Sequence, residues 1–389
     1  MITIQGWKTY SFKEIASLSK EKYNPKKETL NLPCIELEHI ESETGRLLGH
    51  TNSLSQGSIK NRFKPGDVLY GKLRPYLKKY YFPDFEGVCS SEIWVLRNQK
   101  GKIRNKYLYY LVQTNRFNKS ANISIGTKMP RADWNFVSET IFPIPTLKEQ
   151  DKIISVLSTW DKAIKLKEKL IEQKKKQKKG LMQKLLTGEV RLPGFEGEWK
   201  VVQIGDLSKV VTGNTPSTQN VEFYDNGTIP WITPTDISES KYISDSERKL
   251  TEKGLDNGRL IPKGSLLVTC IASIGKNAIL TRNGSCNQQI NAIFPSDKHS
   301  NEFLYYKLEL EVKKMEMLAG KTSTPIINKS TFEKYKIKIP EFNEQRAIAE
   351  VLSEFDRNIE LLINEIKQLK LQKKGLMQLL LTGKVRVKV

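Results

Sequence analysis

The sequence predicts an α+β protein with two similar globular domains separated by two long helices that form an antiparallel coiled coil, in a pseudo-two-fold internal repeat. The first observation is a segment that occurs twice, as KKGLMQKLLTGEVR at residues 178–191 and as KKGLMQLLLTGKVR at residues 373–386. The second is a heptad pattern of apolar residues before each copy, and the third is a series of short strand-like runs elsewhere. A chain of 389 residues also exceeds the ~250–300 residues at which a single core stops growing.

The spacing of the repeat separates a fixed part of each half from a variable part. Gln345 lies 195 residues after Gln150, the same interval that separates the two quoted segments. Further upstream the interval changes, and Cys286 lies 197 residues after Cys89. The globular parts therefore accept insertions that the fixed parts do not, which is typical of a variable surface mounted on a spacer of constant length.

Each fixed part is predicted to be one helix of about 40 residues, or ~60 Å in length. Proline precedes each helix and a Thr-Gly pair follows it, which are common start and stop signals. Apolar residues recur in steps of three and four, the period that buries a seam against a partner helix. The predicted seam residues are Ile153, Leu157, Trp160, Ile164, Ile171, Leu181 and Leu185 in the first helix, and Ile348, Leu352, Phe355, Ile359, Leu362, Ile366, Leu369, Leu376 and Leu380 in the second.

Lysines interrupt the first seam and surround the first helix. Lys167, Lys174 and Lys178 stand at seam positions, so we expect the helix pair to be looser at its middle. The basic run at residues 162–180 fits either a solvated helix face or direct DNA contact. A helix lying on a membrane surface is disfavoured, because the charge surrounds the helix and leaves no wide apolar face.

The predicted domain boundaries follow from this pattern. The first globular domain covers residues 1–145 and the second covers residues 191–341, with the helical segments at 146–190 and 342–389. Strand-like runs such as GDVLYGKL and GSLLVTCIAS alternate with helical runs such as NKYLYYLVQ, which indicates an α+β domain in each half.

The charge balance favours a polyanionic partner. The chain has 64 Lys and Arg against 43 Asp and Glu, a formal net charge of +21. Such an excess promotes binding to nucleic acid through the release of counterions. The absence of a long apolar run predicts a cytoplasmic protein without a membrane span, and four widely spaced cysteines predict reduced, packed thiols.

Turn-rich segments with basic and polar tips are the candidate DNA contacts. Arg and Lys bind phosphates or guanine, whereas Asn and Gln match adenine. The predicted DNA-binding residues are Lys72, Arg74, Tyr76, Lys78, Lys79, Lys128, Arg131, Asn214, Thr215, Lys276, Lys321 and Thr322.

Motifs for catalysis or metal binding are not found in the sequence. The run GKTS resembles the end of a phosphate-binding loop, but the first glycine that the loop needs is missing. His39, His50 and His299 lack the spacing of metal ligands. A Pro-Pro motif typical of adenine methyltransferases is also absent. We therefore expect no catalytic residue, no metal and no cofactor on this chain.

The repeated segments resemble a known family, the specificity subunits of type I restriction-modification systems. KKGLMQKLLTGEVRLPGF at residues 178–195 is similar to the central conserved region of that family, and EQRAIAEVLSEFD at residues 344–356 is similar to the distal one. PCIELEHIESETG, TGNTPS and IPWITPTDI resemble segments of its target-recognition domains. The resemblance covers essentially the whole chain.

The resemblance implies two target-recognition domains, each reading one half of a bipartite double-stranded DNA site. It further implies two copies of a modification subunit that methylates adenine with S-adenosylmethionine, and a restriction subunit that uses ATP and Mg²⁺. Two alternatives remain open: a stand-alone basic DNA- or RNA-binding regulator, and an enzyme whose active site has no recognisable motif.

Overall fold

Two units divide the chain in the computed structural model, which describes residues 5–123, 129–320 and 324–388. Unit 1 comprises residues 1–168 together with 364–389, and unit 2 comprises residues 169–363. The two long helices therefore contribute residues to both units.

Unit 1 contains the short strands and helices that precede the first long helix, together with part of each long helix. Its elements are β1 Lys8–Ser11, α1 Phe12–Ile15, β2 Ala16–Leu18, β3 Lys22–Tyr23, β4 Pro33–Ile35, β5 Thr51–Asn52, β6 Lys60–Phe63, β7 Val68–Gly71, β8 Tyr80–Tyr81, β9 Gly87–Cys89, β10 Ile93–Asn98, α2 Asn105–Leu111, α3 Asn115–Ala121, α4 Trp134–Ser138, β11 Ile141–Ile144 and α5 Leu147–Thr187.

The described strands of unit 1 form two sheets and one separate strand pair. One sheet has the order β2-β10-β7-β8, and the other has the order β3-β6-β9-β4-β5 with β4 and β9 parallel. Strand β1 pairs with β11, which leads directly into α5. Phe12, Tyr70, Tyr107 and Phe117 are fully buried in the core that joins these strands to the helices.

Unit 2 repeats this plan. Its elements are β12 Lys200–Gln203, α6 Ile204–Leu207, β13 Val210–Thr212, β14 Ile229–Ile232, β15 Tyr242–Ile243, β16 Lys249–Leu250, α7 Glu252–Asp256, β17 Leu266–Thr269, β18 Asn277–Leu280, β19 Ser285–Cys286, β20 Ile290–Ile293, α8 Asn301–Ala319, α9 Lys329–Glu333, β21 Lys336–Ile339 and α10 Phe342–Leu381.

The sheets of unit 2 correspond to those of unit 1. Strands follow the orders β13-β20-β17-β18-β15 and β16-β14-β19. The parallel pair β14/β19 matches β4/β9, and β12 pairs with β21 at the start of α10 as β1 pairs with β11. The predicted α+β repeat is therefore confirmed.

The long helices have the predicted length, with 41 residues in α5 and 40 in α10. The predicted seam residues are all buried or half-buried. Those that are buried are Ile153, Leu157, Ile164, Leu185, Ile348, Leu352, Ile359, Ile366 and Leu380. Those that are half-buried are Trp160, Ile171, Leu181, Phe355, Leu362, Leu369 and Leu376.

At their ends, the long helices bury more apolar residues than the heptad pattern predicted. Met377 and Leu381 lie in the core of unit 1, and Met182 and Leu186 lie in the core of unit 2. None of these four is a seam residue, because each helix end packs against the globular core as well as against the other helix.

The lysines at seam positions contact the other helix. In unit 1, Lys167 lies 2.5 Å from Glu365, and Asp161 lies 2.5 Å from Lys373, so residue numbers rise along α5 as they fall along α10. The helices are therefore antiparallel in this unit. In unit 2, Lys178 lies 2.6 Å from Asp356.

The third interrupting lysine, Lys174, lies 5.8 Å from the centre of the Phe355 ring. The interrupting lysines thus meet acidic or aromatic side chains of α10 where we expected a looser middle. Carboxylates of α10 neutralise the charges of Lys167 and Lys178.

An arginine clamp joins the end of one long helix to the start of the other in unit 1. Arg386, five residues beyond α10, binds the buried carboxylate of Glu149 through two hydrogen bonds of 2.6 and 2.8 Å. The indole N–H of Trp7 donates to the same carboxylate at 3.1 Å. Hydrogen bonding to Glu149 raises the pKa of Arg386.

The same clamp occurs in unit 2. Arg191 donates two hydrogen bonds of 2.6 Å to Glu344, which is fully buried at the start of α10. Both arginines belong to the segment that occurs twice in the sequence, and both carboxylates immediately precede the paired glutamines Gln150 and Gln345. The duplicated segment therefore supplies one clamp to each unit.

The cysteines are packed, as the sequence predicted. All four cysteines are free and buried. Among residues 5–123, 129–320 and 324–388, no group of acidic, histidine and cysteine side chains is arranged to hold a metal ion. Within the same ranges, no helix is both long and apolar enough to cross a bilayer.

Lowering the pH below 6.5 is expected to destabilise unit 2 through His299. Burial lowers the pKa of His299 below its ordinary value of 6.5, and this outweighs the opposing effect of the 2.7 Å contact with Asn301. A depressed folded-state pKa stabilises the fold above the unfolded-state pKa, and this contribution is lost as the pH falls. Urea unfolding between pH 5 and 8 should show it, and His299→Gln should weaken it. His50→Gln is the control variant, because it removes an exposed imidazole outside the core.

Candidate nucleic-acid interface

Two equivalent turns with unusual backbone geometry stand at the ends of β7 and β17. We name them the bridged turns and define them as residues 72–74 and 270–272. Arg74 has φ +51° and Ala272 has φ +62°, although neither is glycine. Such residues cost of order 1–3 kcal/mol each and persist only where the surrounding structure enforces them.

A neighbouring segment holds each bridged turn in place. The N–H of Arg74 donates to the carbonyl of Pro130 at 2.8 Å, and that of Ala272 donates to Pro325 at 3.0 Å. An isolated β-bridge joins the middle of each turn to the residue after that proline, Arg131 in unit 1 and Ile326 in unit 2.

The residue immediately before β10 or β20 supplies the second support for each bridged turn. Lys72 donates its N–H to the carbonyl of Glu92 at 2.9 Å, and Cys270 donates to Gln289 at 2.8 Å. The two units thus build the same backbone arrangement from different side chains.

In unit 2 the bridged turn borders a cleft of about 470 Å³. Hydroxyl, amide, guanidinium and carboxylate groups line it, among them those of Thr233, Thr235, Asp236, Glu247, Arg248, Ser273, Asn287 and Gln289. Asn287 Nδ2 donates to Gln289 Oε1 at 2.9 Å, while its Oδ1 accepts the Gln289 N–H at 3.1 Å. The two amides are therefore held in a fixed mutual orientation.

A stacked arginine forms one wall of this cleft. The guanidinium of Arg248 lies 4.4 Å from the centre of the Tyr224 ring and 5.3 Å from that of Trp231. The Trp231 indole N–H donates to the carbonyl of Asn214 at 3.0 Å. Stacking orients a cation toward a polyanion without neutralising its charge.

A second concave surface of unit 2 carries basic residues. This cavity of about 850 Å³ is lined by Lys209, Arg259, Lys298 and Lys329, together with Asp206 and Glu333. Lys329 lies 3.4 Å from Glu333, and Lys298 lies 3.4 Å from the carbonyl of Asp206. The surface suits phosphate groups more than base edges, because amide side chains are absent from its lining.

The predicted DNA-binding residues of unit 1 separate into two groups. Arg74 is exposed, as is Tyr76 at 53%, and Lys72 is half-buried at the start of the bridged turn. Lys78 instead lies 2.6 Å from Glu43, and Lys79 donates to the carbonyl of Leu37 at 2.7 Å. The last two lysines serve internal contacts.

Other predicted residues lie around the turns with partners of their own. Arg131 forms an ion pair with Glu92 at 3.0 Å. In unit 2, Asn214 donates to the carbonyl of Asn257, Thr215 donates to Gln288, and Lys276 is exposed beside the bridged turn. Lys128, Lys321 and Thr322 lie outside the described residues.

Sequence reasoning missed the amide and arginine groups of the unit 2 cleft. Asn287 and Gln289 stand just before β20, and Arg248 just before β16. The signal that could have found the amides is the interval of 197 residues, which aligns Ser90 and Glu92 of unit 1 with them.

The family model and the related proteins agree on one family. The family described as the type I restriction modification DNA specificity domain matches residues 4–175 and 196–371. The chain is 32% identical to the type I restriction enzyme MjaVIII specificity subunit of Methanocaldococcus jannaschii, over 78% of this chain and 75% of that protein. It is 28% identical to the EcoR124I/EcoR124II specificity subunit of Escherichia coli, over 80% of this chain and 77% of that protein.

A solved structure has the same fold. It is a chain from a type I R-M system described for its complex assembly and conformational transition. The likeness covers 98% of this chain and 99% of that one, with a TM-score of 0.67 and 20% identity.

Proposed function

Because the chain belongs to the family of type I restriction-modification specificity subunits, we propose that it reads a bipartite double-stranded DNA target, with one half-site for each unit. The observation that carries this proposal is the pair of bridged turns, in which one backbone arrangement presents different side chains in the two units. A constant backbone places both sets of side chains alike, while the different chemistry specifies different bases.

The net charge of +21 supports binding to DNA. Phosphate contacts supply affinity and position the protein, whereas groups at base edges supply specificity. The exposed Arg74 and Lys276 beside the turns suit the first role, and the fixed amides of the unit 2 cleft suit the second.

We assign the chemistry of the system to other subunits. The chain would dock two copies of a modification subunit that methylates adenine with S-adenosylmethionine, and a restriction subunit that uses ATP and Mg²⁺. The duplication supports two copies of one partner, because a repeated structure presents repeated surfaces. In this account the chain itself contributes recognition and no catalytic residue.

Co-expression with the modification subunit tests the proposal. Methylated adenines should fall within one sequence made of two defined half-sites and a gap of fixed length, and the chain should co-purify with the methyltransferase. Methylation at sites that share only a single short motif, or equally efficient methylation without this chain, would count against it.

Arg74→Ala is expected to weaken binding to all DNA sequences about equally. Loss of one phosphate contact lowers the slope of log affinity against log salt by about 1. Lys78→Ala is the matched control from the same segment, since Lys78 is already paired with Glu43. Titrations of the complex at several salt concentrations measure both variants. An Arg74→Ala slope equal to that of Lys78→Ala would place Arg74 away from DNA.

A further inference from the structure

The position occupied by Glu92 in unit 1 and by Gln289 in unit 2 combines three features that mark a specificity-determining residue. Its carbonyl holds the bridged turn, as described above. It stands immediately before the first residue of a central strand, β10 or β20. Its side chain differs in charge between the two units, although the backbone contacts are the same.

The backbone around this position is also fixed from its other side. Two residues earlier, Ser90 donates its N–H to the carbonyl of Ile35 at 3.0 Å, and Asn287 donates to Ile232 at 3.0 Å. These contacts connect the segment to β4 and β14. The motifs PCIELEHI and IPWITPTDI begin in these two strands. Because both backbone supports recur in the two units, the difference between the units at this position lies in the side chain.

The chemistry of the side chains differs in a specific way. In unit 1, Glu92 lies 3.0 Å from Arg131, and the positive-φ residue is Arg74. In unit 2 the corresponding residues are Gln289, Ile326 and Ala272, and Asn287 holds the amide of Gln289. The first set is charged, whereas the second is neutral and built around paired amides.

Resting on the proposed function, we infer that Glu92 and Gln289 are equivalent base-specifying residues that make the two half-sites different. The amide of Gln289 matches the N6 and N7 edge of adenine, so unit 2 reads an A·T pair at this position. The carboxylate of Glu92 accepts from cytosine N4, and its ion-pair partner Arg131 matches guanine O6 and N7, so unit 1 reads a G·C pair.

Methylation mapping of Gln289→Ala and Gln289→Glu, each in complex with the modification subunit, tests the inference. We expect one A·T position in one half-site to lose discrimination by about tenfold to a hundredfold, while the other half-site and the gap stay unchanged. Gln289→Glu keeps the size of the side chain, and its thermal unfolding shows whether the fold is retained. The exposed Gln183 of α5 supplies the control variant Gln183→Ala, which should keep the wild-type site.

Glu92→Gln provides the second arm in unit 1. It should relax a G·C position in the half-site that Gln289→Ala leaves intact. Folded Gln289 variants that retain every base preference would overturn the inference, as would a uniform loss of methylation at all sites. The proposed function would fail separately, through a wild-type complex that methylates no bipartite sequence.

Discussion

Arg386→Ala is expected to destabilise unit 1 by about 2–3 kcal/mol. The substitution leaves the Glu149 carboxylate, which is 1% exposed, with the Trp7 indole as its remaining side-chain donor. Breaking a buried pair typically costs about 3–5 kcal/mol, and the value is reduced here because Arg386 is 41% exposed and partly screened by solvent.

Urea unfolding of the full chain measures this change. Lys384→Ala is the control, because this exposed residue lies in the same terminal segment. Arg386→Lys should recover only part of the loss, since lysine keeps the charge but cannot form two parallel hydrogen bonds to a carboxylate. Hydrogen exchange should quicken in unit 1 and not in unit 2. Equal stability of Arg386→Ala and Lys384→Ala would show that the clamp contributes little.

The helical part of the fold could be predicted from sequence because its information is local. The heptad seam lies within each helix, and the prolines and the Thr-Gly stops lie next to its ends. The partner of Arg386 could not be found in this way, because Glu149 is 237 residues away in the sequence. The duplication indicates that the segment has a role, and the structure shows that its arginine binds the buried glutamate of the clamp.

The candidate interface was predictable only in part, for a physical reason. Charge and turn composition identify loops with basic tips, and they place Arg74 among the candidates. Charge and composition do not show which lysines already have partners within the protein, as Lys78 and Lys79 do. They also do not show a positive φ at Arg74 or Ala272, since neither residue favours that conformation by itself.

Replacing residues 199–340 with a second copy of residues 7–145 is expected to change the DNA target completely in one half. Trp7 corresponds to Trp199 at one junction, and Pro145 corresponds to Pro340 at the other. The transplanted residues would find on α10 the contacts that they make with α5 in unit 1. Tyr110 binds Asp161 of α5 at 2.6 Å, and Tyr306 binds Asp356 of α10 at 2.5 Å in the same way.

Mapping of methylated adenines in cells that express this chimaera with the modification subunit tests the central claim, that each unit reads one half-site independently. We predict a target made of two copies of the half-site read by unit 1, with the half-site of unit 2 absent. A chimaera that still methylates the original asymmetric sequence would contradict the claim.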